Sequence, residues 1–158
     1  MNIIVNVADM KISRQPKDTI ITYSLGSCIG LSIYDNKAKV GGILHYLLPD
    51  SSSAPDKAKT EPLKFADTAI PCFFKTAYKC GAKKNRLKIV VAGGSNILDQ
   101  AGFFNIGKRN YLTLKRIFFK NNVIVDHVDV GGSAYKTMSL DINTGYTTIL
   151  AKKGTYTV

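Results

Sequence analysis

The chain has 158 residues, 45% apolar and 21% charged, with a formal net charge of +11. That length suits one domain, residues 1–158, with a true hydrophobic core, and the composition excludes a disordered chain. No apolar run approaches the roughly 18–20 residues of a membrane span, so no membrane insertion is expected.

The N-terminus lacks a basic n-region and a cleavage site, and the three cysteines have no framework spacing. Together these point to no signal peptide and a reducing, cytoplasmic location. The basic residues cluster at Lys57–Lys64, Lys75–Lys88, Lys108–Lys120 and Lys152-Lys153. Such an excess suits nucleic acid, an anionic membrane surface or an acidic protein partner, although a solvated face is its commonest use. No zinc-finger spacing, RNP aromatic motif or suitably placed GxxG loop is present, so no nucleic-acid partner is expected.

Asn2–Ala8 alternates and reads as an opening strand, Met10–Pro16 as a connecting loop, and the β-branched Thr19–Ser24 as a second strand that carries Thr22 toward Gly26. Two alternating runs, Cys28–Tyr34 and Lys39–Leu47, flank the turn-like Asp35-Asn36-Lys37-Ala38 and predict a β-hairpin. Pairing Ile33 with Val40 and Ile29 with Leu44 gathers the branched aliphatics on one face. In that register Cys28 lies across from His45 on the other face, with Cβ atoms about 4.5–5.5 Å apart.

Asp50–Lys57 is small and polar, a loop that serves as a connection or as a lid beside His45. Thr60 and Pro62 signal a helix start, and the stripe Leu63, Ala66, Ala69, Ile70, Phe73, Phe74 and Ala77 carries the helix to Lys79, with a kink at Pro71 and a stop at Gly81. Cys72 and Cys80 would lie about 12 Å apart along it, too far for a disulfide, and read as structural thiols. Leu87–Ala92 reads as a central strand ending in the turn Gly93-Gly94-Ser95-Asn96. Neither GxGxxG nor GxxxxGK[ST] is present, so close approach of backbone to a substrate chain is the functional reading of those glycines.

Ile106–Lys120 reads as a second helix, Val123–Val130 as a strand running into Gly131-Gly132, and Tyr135–Ile142 with Tyr146–Ala151 as a terminal hairpin over Asn143-Thr144-Gly145. His127 and Asp129 share a strand face, but two ligands without a third make no zinc site, so neither metal nor cofactor is expected. The fold class is α+β: a single-domain sandwich of mixed or antiparallel sheets with two main helices packed outside.

The hairpin supplies the chemistry. An imidazole beside a thiol can take its proton and leave a reactive thiolate. Gly26 and Ser27 permit a sharp turn whose N–H groups face a developing oxyanion. A buried Cys is more often an inert small hydrophobe, and a strand His a satisfied polar residue.

Leu25-Gly26-Ser27-Cys28 followed by Gly41-Gly42-Ile43-Leu44-His45-Tyr46-Leu47-Leu48-Pro49 resembles the signature of the chemoreceptor glutamine deamidases, the CheD family. The similarity continues through Phe65–Pro71, Gly81-Ala82, Ala92–Ser95, Ile106–Asn110 and Asp129–Gly132, in order along nearly the whole chain. It implies Cys28 as nucleophile, His45 as its base and Thr22 as the residue that orients His45. Gly26, Ser27, Gly93 and Gly94 would lie beside the oxyanion and substrate.

Three positions depart from the family pattern. Tyr135-Lys136 stand where the family has Gly-Arg, and Ala92 stands where it has Phe. Tyr adopts positive φ less cheaply than Gly, and Lys lacks the planar fork of Arg. The resemblance implies a monomeric protein-glutamine deamidase working through a thioester, with methyl-ester hydrolysis by the same route. Its implied partners are the cytoplasmic helices of chemoreceptors and a CheC-type phosphatase. The alternative is a non-catalytic adaptor that binds receptors or such a phosphatase.

Overall fold

The computed structural model describes residues 1–97, 102 and 104–158. Among these residues ten strands form two sheets. The first contains β1 (Asn2–Ile4), β3 (Thr19–Leu25), β8 (Lys136–Asp141), β9 (Thr147–Ala151) and β10 (Gly154–Thr157), in the order β1-β3-β8-β9-β10. The second contains β2 (Asp9–Ser13), β4 (Ile29–Asp35), β5 (Val40–Tyr46), β6 (Leu87–Gly93) and β7 (His127–Val130), in the order β2-β5-β4-β6-β7. Pairing is antiparallel except at β1–β3 and β6–β7. Three helices, α1 (Pro55–Thr60), α2 (Ala66–Lys79) and α3 (Ile106–Lys120), complete the expected α+β sandwich.

The second sheet is buried on both faces. One face meets the first sheet through Tyr34, Ile43, Val90 and Ala92 against Ile20, Leu25, Met138 and Leu140. The other meets α2 and α3 through Leu31, Ile33, Leu44 and Val91 against Phe73, Phe74, Leu114 and Phe118. Double coverage explains why every residue of β4 and β5 is buried, whereas β8, open on one side, alternates buried and half-buried positions. It also gives the glycines of β5 a purpose: a Cβ on Gly42 would come within 2.7 Å of Lys11 O and 3.0 Å of the Phe73 ring.

Several boundaries differ from the expectations. The opening run breaks after Ile4, Ala8 takes φ 57, and the segment expected as a loop supplies β2, which pairs with β5 from Asp9↔His45 to Ser13↔Gly41. Met10 and Ile12 tuck onto the helix-side core, and that burial outweighs the polar look of the segment.

Thr60 is the last residue of α1 rather than the cap of the long helix. A 3₁₀ turn at Pro62–Lys64 follows, and the extended Phe65 starts α2. Leu47 N–H and Leu48 N–H both donate to Lys64 O, and Ala66 N–H donates to Leu48 O, so the entry to α2 is stitched to the chain leaving β5. Of Val123–Val130 only the second half is strand. The chain also runs one strand beyond the expected terminal hairpin, turning at Lys152-Lys153 into β10.

The central hairpin keeps the predicted faces but not the predicted register. Asp35 pairs with Val40, the loop is Asn36–Lys39 with Lys39 at φ 54, and the ladder continues through Leu31↔Leu44 and Gly30↔His45 to Ile29↔Tyr46. Gly30, not Cys28, therefore faces His45. Cys28 lies one step beyond the last pair. The shift is two residues, so parity survives, and Cys28 and His45 both stay opposite the face of Ile29, Ile33, Val40 and Leu44.

Asp35 is the reason for the shift. Its fully buried carboxylate accepts from Lys37 N–H (2.9 Å), Ala38 N–H (3.0 Å), Lys83 N–H (2.9 Å) and Arg86 Nε (2.9 Å), with Arg86 Nη2 at 2.8 Å. Burial alone would raise its pKa. The Arg86 guanidinium and the loop N–H groups win, and the carboxyl is held down at about 2. A carboxyl depressed in the folded state stabilises the protein above its ordinary pKa, and that stability is lost as pH falls toward the folded value. Asp35→Ala should cost about 3 kcal/mol by urea unfolding at pH 7, because it strands a half-buried cation and three N–H groups. In the wild type the urea midpoint should fall between pH 4 and the folded pKa of about 2, and Asp35→Asn should flatten that limb.

Candidate active site

Thr22 sits in β3 just before a bulge that ends at Leu25, with Ser24 at φ 58. Its side chain is fully buried and spans the gap between the sheets. The hydroxyl donates to Val5 O at 2.8 Å and lies 2.7 Å from His45 Nδ1 on the facing sheet. A hydroxyl has one proton, and Val5 O can only accept. Thr22 Oγ1 must therefore accept from Nδ1–H, which places the imidazole's lone pair on Nε2. His45 is 1% exposed, and its Nε2 has no protein hydrogen-bond partner. Burial pushes its pKa down to about 4, so the ring is a neutral base at neutral pH.

Cys28 stands at the mouth of β4, fixed by bonds to its own backbone neighbourhood. Gly94 N–H donates to Cys28 O at 2.8 Å and Ser95 N–H to Gly26 O at 2.8 Å. Gly93, at φ 110, passes so close that a Cβ there would lie 2.2 Å from Cys28 O. Asn110, fully buried on α3, donates through Nδ2 to Ser27 O (2.8 Å) and Leu47 O (2.9 Å). One amide thus clamps the residue before Cys28 and the chain just after His45.

Cys28, 7% exposed, lines a cleft of about 730 Å³ with Gly26, Ser27, Ser95, Tyr111 and Tyr135. Thr22 and His45 are sealed from solvent.

The expected thiol–imidazole hydrogen bond is not formed: Nδ1 is occupied by Thr22, and Nε2 has no partner. The register shift accounts for this. The thiol also differs from the low-pKa group that the sequence suggested, because burial pushes it up to about 11. The site at rest is a neutral thiol with a neutral imidazole.

The glycines act differently from one another. Gly26 N–H donates to Ser24 O and Gly94 N–H to Cys28 O, so both are spent on shaping the loop. Among the described residues, the N–H groups of Ser27 and Cys28 donate to no backbone acceptor outside their own residues.

Asn110 escaped the sequence reading as a site residue. Its signal was the spacing Gly107-x-x-Asn110, which places both residues on one face of α3. That face meets the glycine turn: a Cβ on Gly107 would lie 2.5 Å from Ser95 O.

The two departures at the Gly131-Gly132 turn also resolve structurally. Lys136 is buried, and its Nζ donates to Asp129 O and Gly131 O, both at 3.0 Å, and pairs with the Asp129 carboxylate at 3.1 Å. Tyr135 is not among the positive-φ residues, and its ring covers Gly26, 2.9 Å from where a Cβ would be. Asp129 also accepts from Tyr156 Oη, which lies 2.8 Å from His127 Nε2. Among the described residues no group of three or more His, Cys, Asp or Glu could hold a metal ion, and no helix is long and apolar enough to cross a membrane.

The family model for CheD chemotactic sensory transduction matches residues 47–151. A probable chemoreceptor glutamine deamidase CheD 1 from Syntrophus aciditrophicus (strain SB) is 49% identical over 144 residues, 91% of this chain and 90% of that protein. A probable chemoreceptor glutamine deamidase CheD from Solibacter usitatus (strain Ellin6076) is 46% identical over 143 residues, 90% of this chain and 85% of that one. A probable chemoreceptor glutamine deamidase CheD 2 from Anaeromyxobacter dehalogenans (strain 2CP-C) is 39% identical over 145 residues, 92% and 91% of the two chains. With identity at these levels along nine-tenths of its length, the chain belongs to the CheD family.

Proposed function

We propose that the protein is a protein-glutamine deamidase of chemoreceptors in which Cys28 is the nucleophile, His45 the base and Thr22 the residue that orients it. The observation that carries this reading is the buried Thr22–His45 bond, which leaves Nε2 without a partner on the same sheet face as Cys28, a residue that lines the cleft. The names of the similar proteins support the substrate.

The glutamine side chain enters the cleft, and His45 Nε2 takes the thiol proton as sulfur attacks the amide carbon. The N–H groups of Ser27 and Cys28 receive the oxyanion, an effect typically worth about 3 kcal/mol. The imidazolium passes its proton to departing ammonia. Water activated by the same ring hydrolyses the thioester and leaves glutamate. A receptor glutamate methyl ester reaches the same thioester with methanol as leaving group. A non-catalytic adaptor, binding receptors or a CheC-type phosphatase, is the second reading. The raised thiol pKa favours it, and it requires binding without ammonia release.

Cys28→Ala should keep the wild-type melting curve and release no ammonia from a glutamine-bearing receptor fragment; full turnover by that variant would remove Cys28 from the mechanism. A pKa lowered to about 4 keeps His45 unprotonated through mildly acidic pH, so kcat/KM should hold as pH falls past 6 and decline only as it passes about 4. An acid limb centred near the ordinary histidine value of about 6.5 would contradict a buried base. Thr22→Val should lower kcat about a hundredfold with little change in KM, and Thr22→Ser should restore most of it.

Gly93→Ala and Gly81→Ala form a matched pair. Both glycines have φ near +110, but only at Gly93 would a Cβ meet backbone, whereas Gly81 has nothing within 4 Å. Gly93→Ala should therefore depress deamidation strongly. Gly81→Ala should cost only backbone strain, about 1 kcal/mol, and leave kcat unchanged.

A further inference from the structure

Nearly all of the chain's excess charge lies between Thr68 and Val125, a stretch that holds most of α2 together with β6 and α3. There eleven Lys and Arg stand against one acid, Asp99, while the remainder of the chain is almost balanced. Lys75 and Lys79 on α2, Lys84 beyond it and Lys120 at the end of α3 are all exposed. Among the described residues none of the four is in an ion pair. Unpaired like charges brought together in this way repel one another and favour an anionic partner.

These lysines border an apolar groove of about 270 Å³ between α2 and the C-terminal half of α3. Ile70, Tyr78, Ile117 and Val123 are in its walls, and Lys75 and Lys84 are among its lining residues. Lys79 and Lys120 directly adjoin the lining residues Tyr78 and Asn121 in the chain. Next in sequence to the lining Phe118 and Val123, the side chains of Phe119 and Ile124 are 86% and 82% exposed. An apolar groove with exposed Phe119 and Ile124 next in sequence to its lining residues, bordered by lysines that form no ion pair (Lys84 donates to Asn121 O), describes a surface that still has area to bury.

We propose that this groove docks an amphipathic α-helix of a partner protein, with its apolar stripe between α2 and α3 and its flanking carboxylates on the lysines. The space between two packed helices is what a third helix fills by setting its ridges into their groove, with anchors at i, i+3 or i+4, and i+7. A nucleic acid would engage the lysines but has nothing to bury against Ile70, Ile117 and Val123.

The site is separate from the cleft. α3 lines the cleft with Ile106 and Tyr111 and the groove with Ile117 and Asn121. The nearest of these, Tyr111 and Ile117, are six residues apart, roughly 9 Å of helix. The two share no lining residue, and the docking does not rest on the deamidase reading.

The test is fluorescence anisotropy on the full chain with three labelled probes: a synthetic helix bearing a leucine stripe flanked by glutamates, an isomer of the same composition with the stripe scrambled, and duplex DNA. The striped helix should bind at least tenfold more tightly than its isomer. Lys75→Glu combined with Lys120→Glu should weaken it about tenfold, or 1.4 kcal/mol. Tyr78→Ser should weaken the striped helix but not the isomer, and Cys28→Ala should bind like the wild type. Melting curves would show that the exposed substitutions leave the fold intact. Equal affinity for the two peptides, tighter binding of DNA than of the striped helix, or no effect of the lysine reversals would each overturn the proposal.

Discussion

One hydrogen bond crosses the sandwich at the point that matters. Thr22 Oγ1 on the first sheet and His45 Nδ1 on the second lie 2.7 Å apart in a layer filled largely by Ile43, Val90, Met138 and Leu140, where Ser32 and Thr147 form a second polar pair between the sheets. A polar pair in such a layer costs free energy unless both partners are satisfied, and Val5 O completes the hydroxyl. The bond therefore fixes how the sheets face one another as well as which imidazole nitrogen carries the proton. What it leaves over is the bare Nε2, one of two buried side-chain atoms without a protein partner among the described residues; the other is Asn110 Oδ1. A lone pair kept dry costs about 1–3 kcal/mol. The burial of β4 and β5 on both faces makes that affordable, which is why the site sits at the end of the most deeply covered strands.

How much of this the sequence revealed depends on whether the deciding contact was local. Period-two patterning separated Ile29, Ile33, Val40 and Leu44 from Cys28 and His45, and the structure keeps that division. It could not fix the register, because moving a four-residue loop by one position shifts the ladder by two and exchanges no faces. The choice was made by Asp35, whose partner Arg86 lies 51 residues away. Likewise Met10 and Ile12 form a strand only because β5 offers an edge beside the helices. The helix-start signals at Thr60 and Pro62 were genuine, but α1 and a 3₁₀ turn use them, because the chain must stay bonded to Leu47 and Leu48 until Phe65. In α3 the apolar spacing and the terminal asparagines were local, and there the expected span matches.

The site shows the same split. Thr22, Cys28 and His45 were named through a resemblance, not through spacing alone, since a strand threonine carries no signal of its own. Asn110 looked like a polar residue inside a helix, and only the fold reveals that its amide joins Ser27 to Leu47. At Tyr135-Lys136 the departure from the family pattern suggested a costlier turn and the loss of a planar fork. The structure instead has Lys136 bracing the turn through two carbonyls and a carboxylate, contacts that an ammonium makes without needing a planar fork.

The resting protonation state bears on how the proposed reaction is controlled. A thiol pushed up to about 11 beside an imidazole pushed down to about 4 does not exchange its proton spontaneously, because the ion pair would form in a site that solvates neither charge. Proton transfer becomes favourable only when the negative charge can move on from sulfur to an oxygen held by N–H donors, which requires an amide already seated. Cys28 would then be inert toward oxidants and stray electrophiles between turnovers, since the thiolate is the reactive form. An exposed low-pKa cysteine would work faster on small reagents, but it would have no means of waiting for a glutamine on another folded protein. In the proposed mechanism, burial of His45 therefore makes the nucleophile conditional on its substrate.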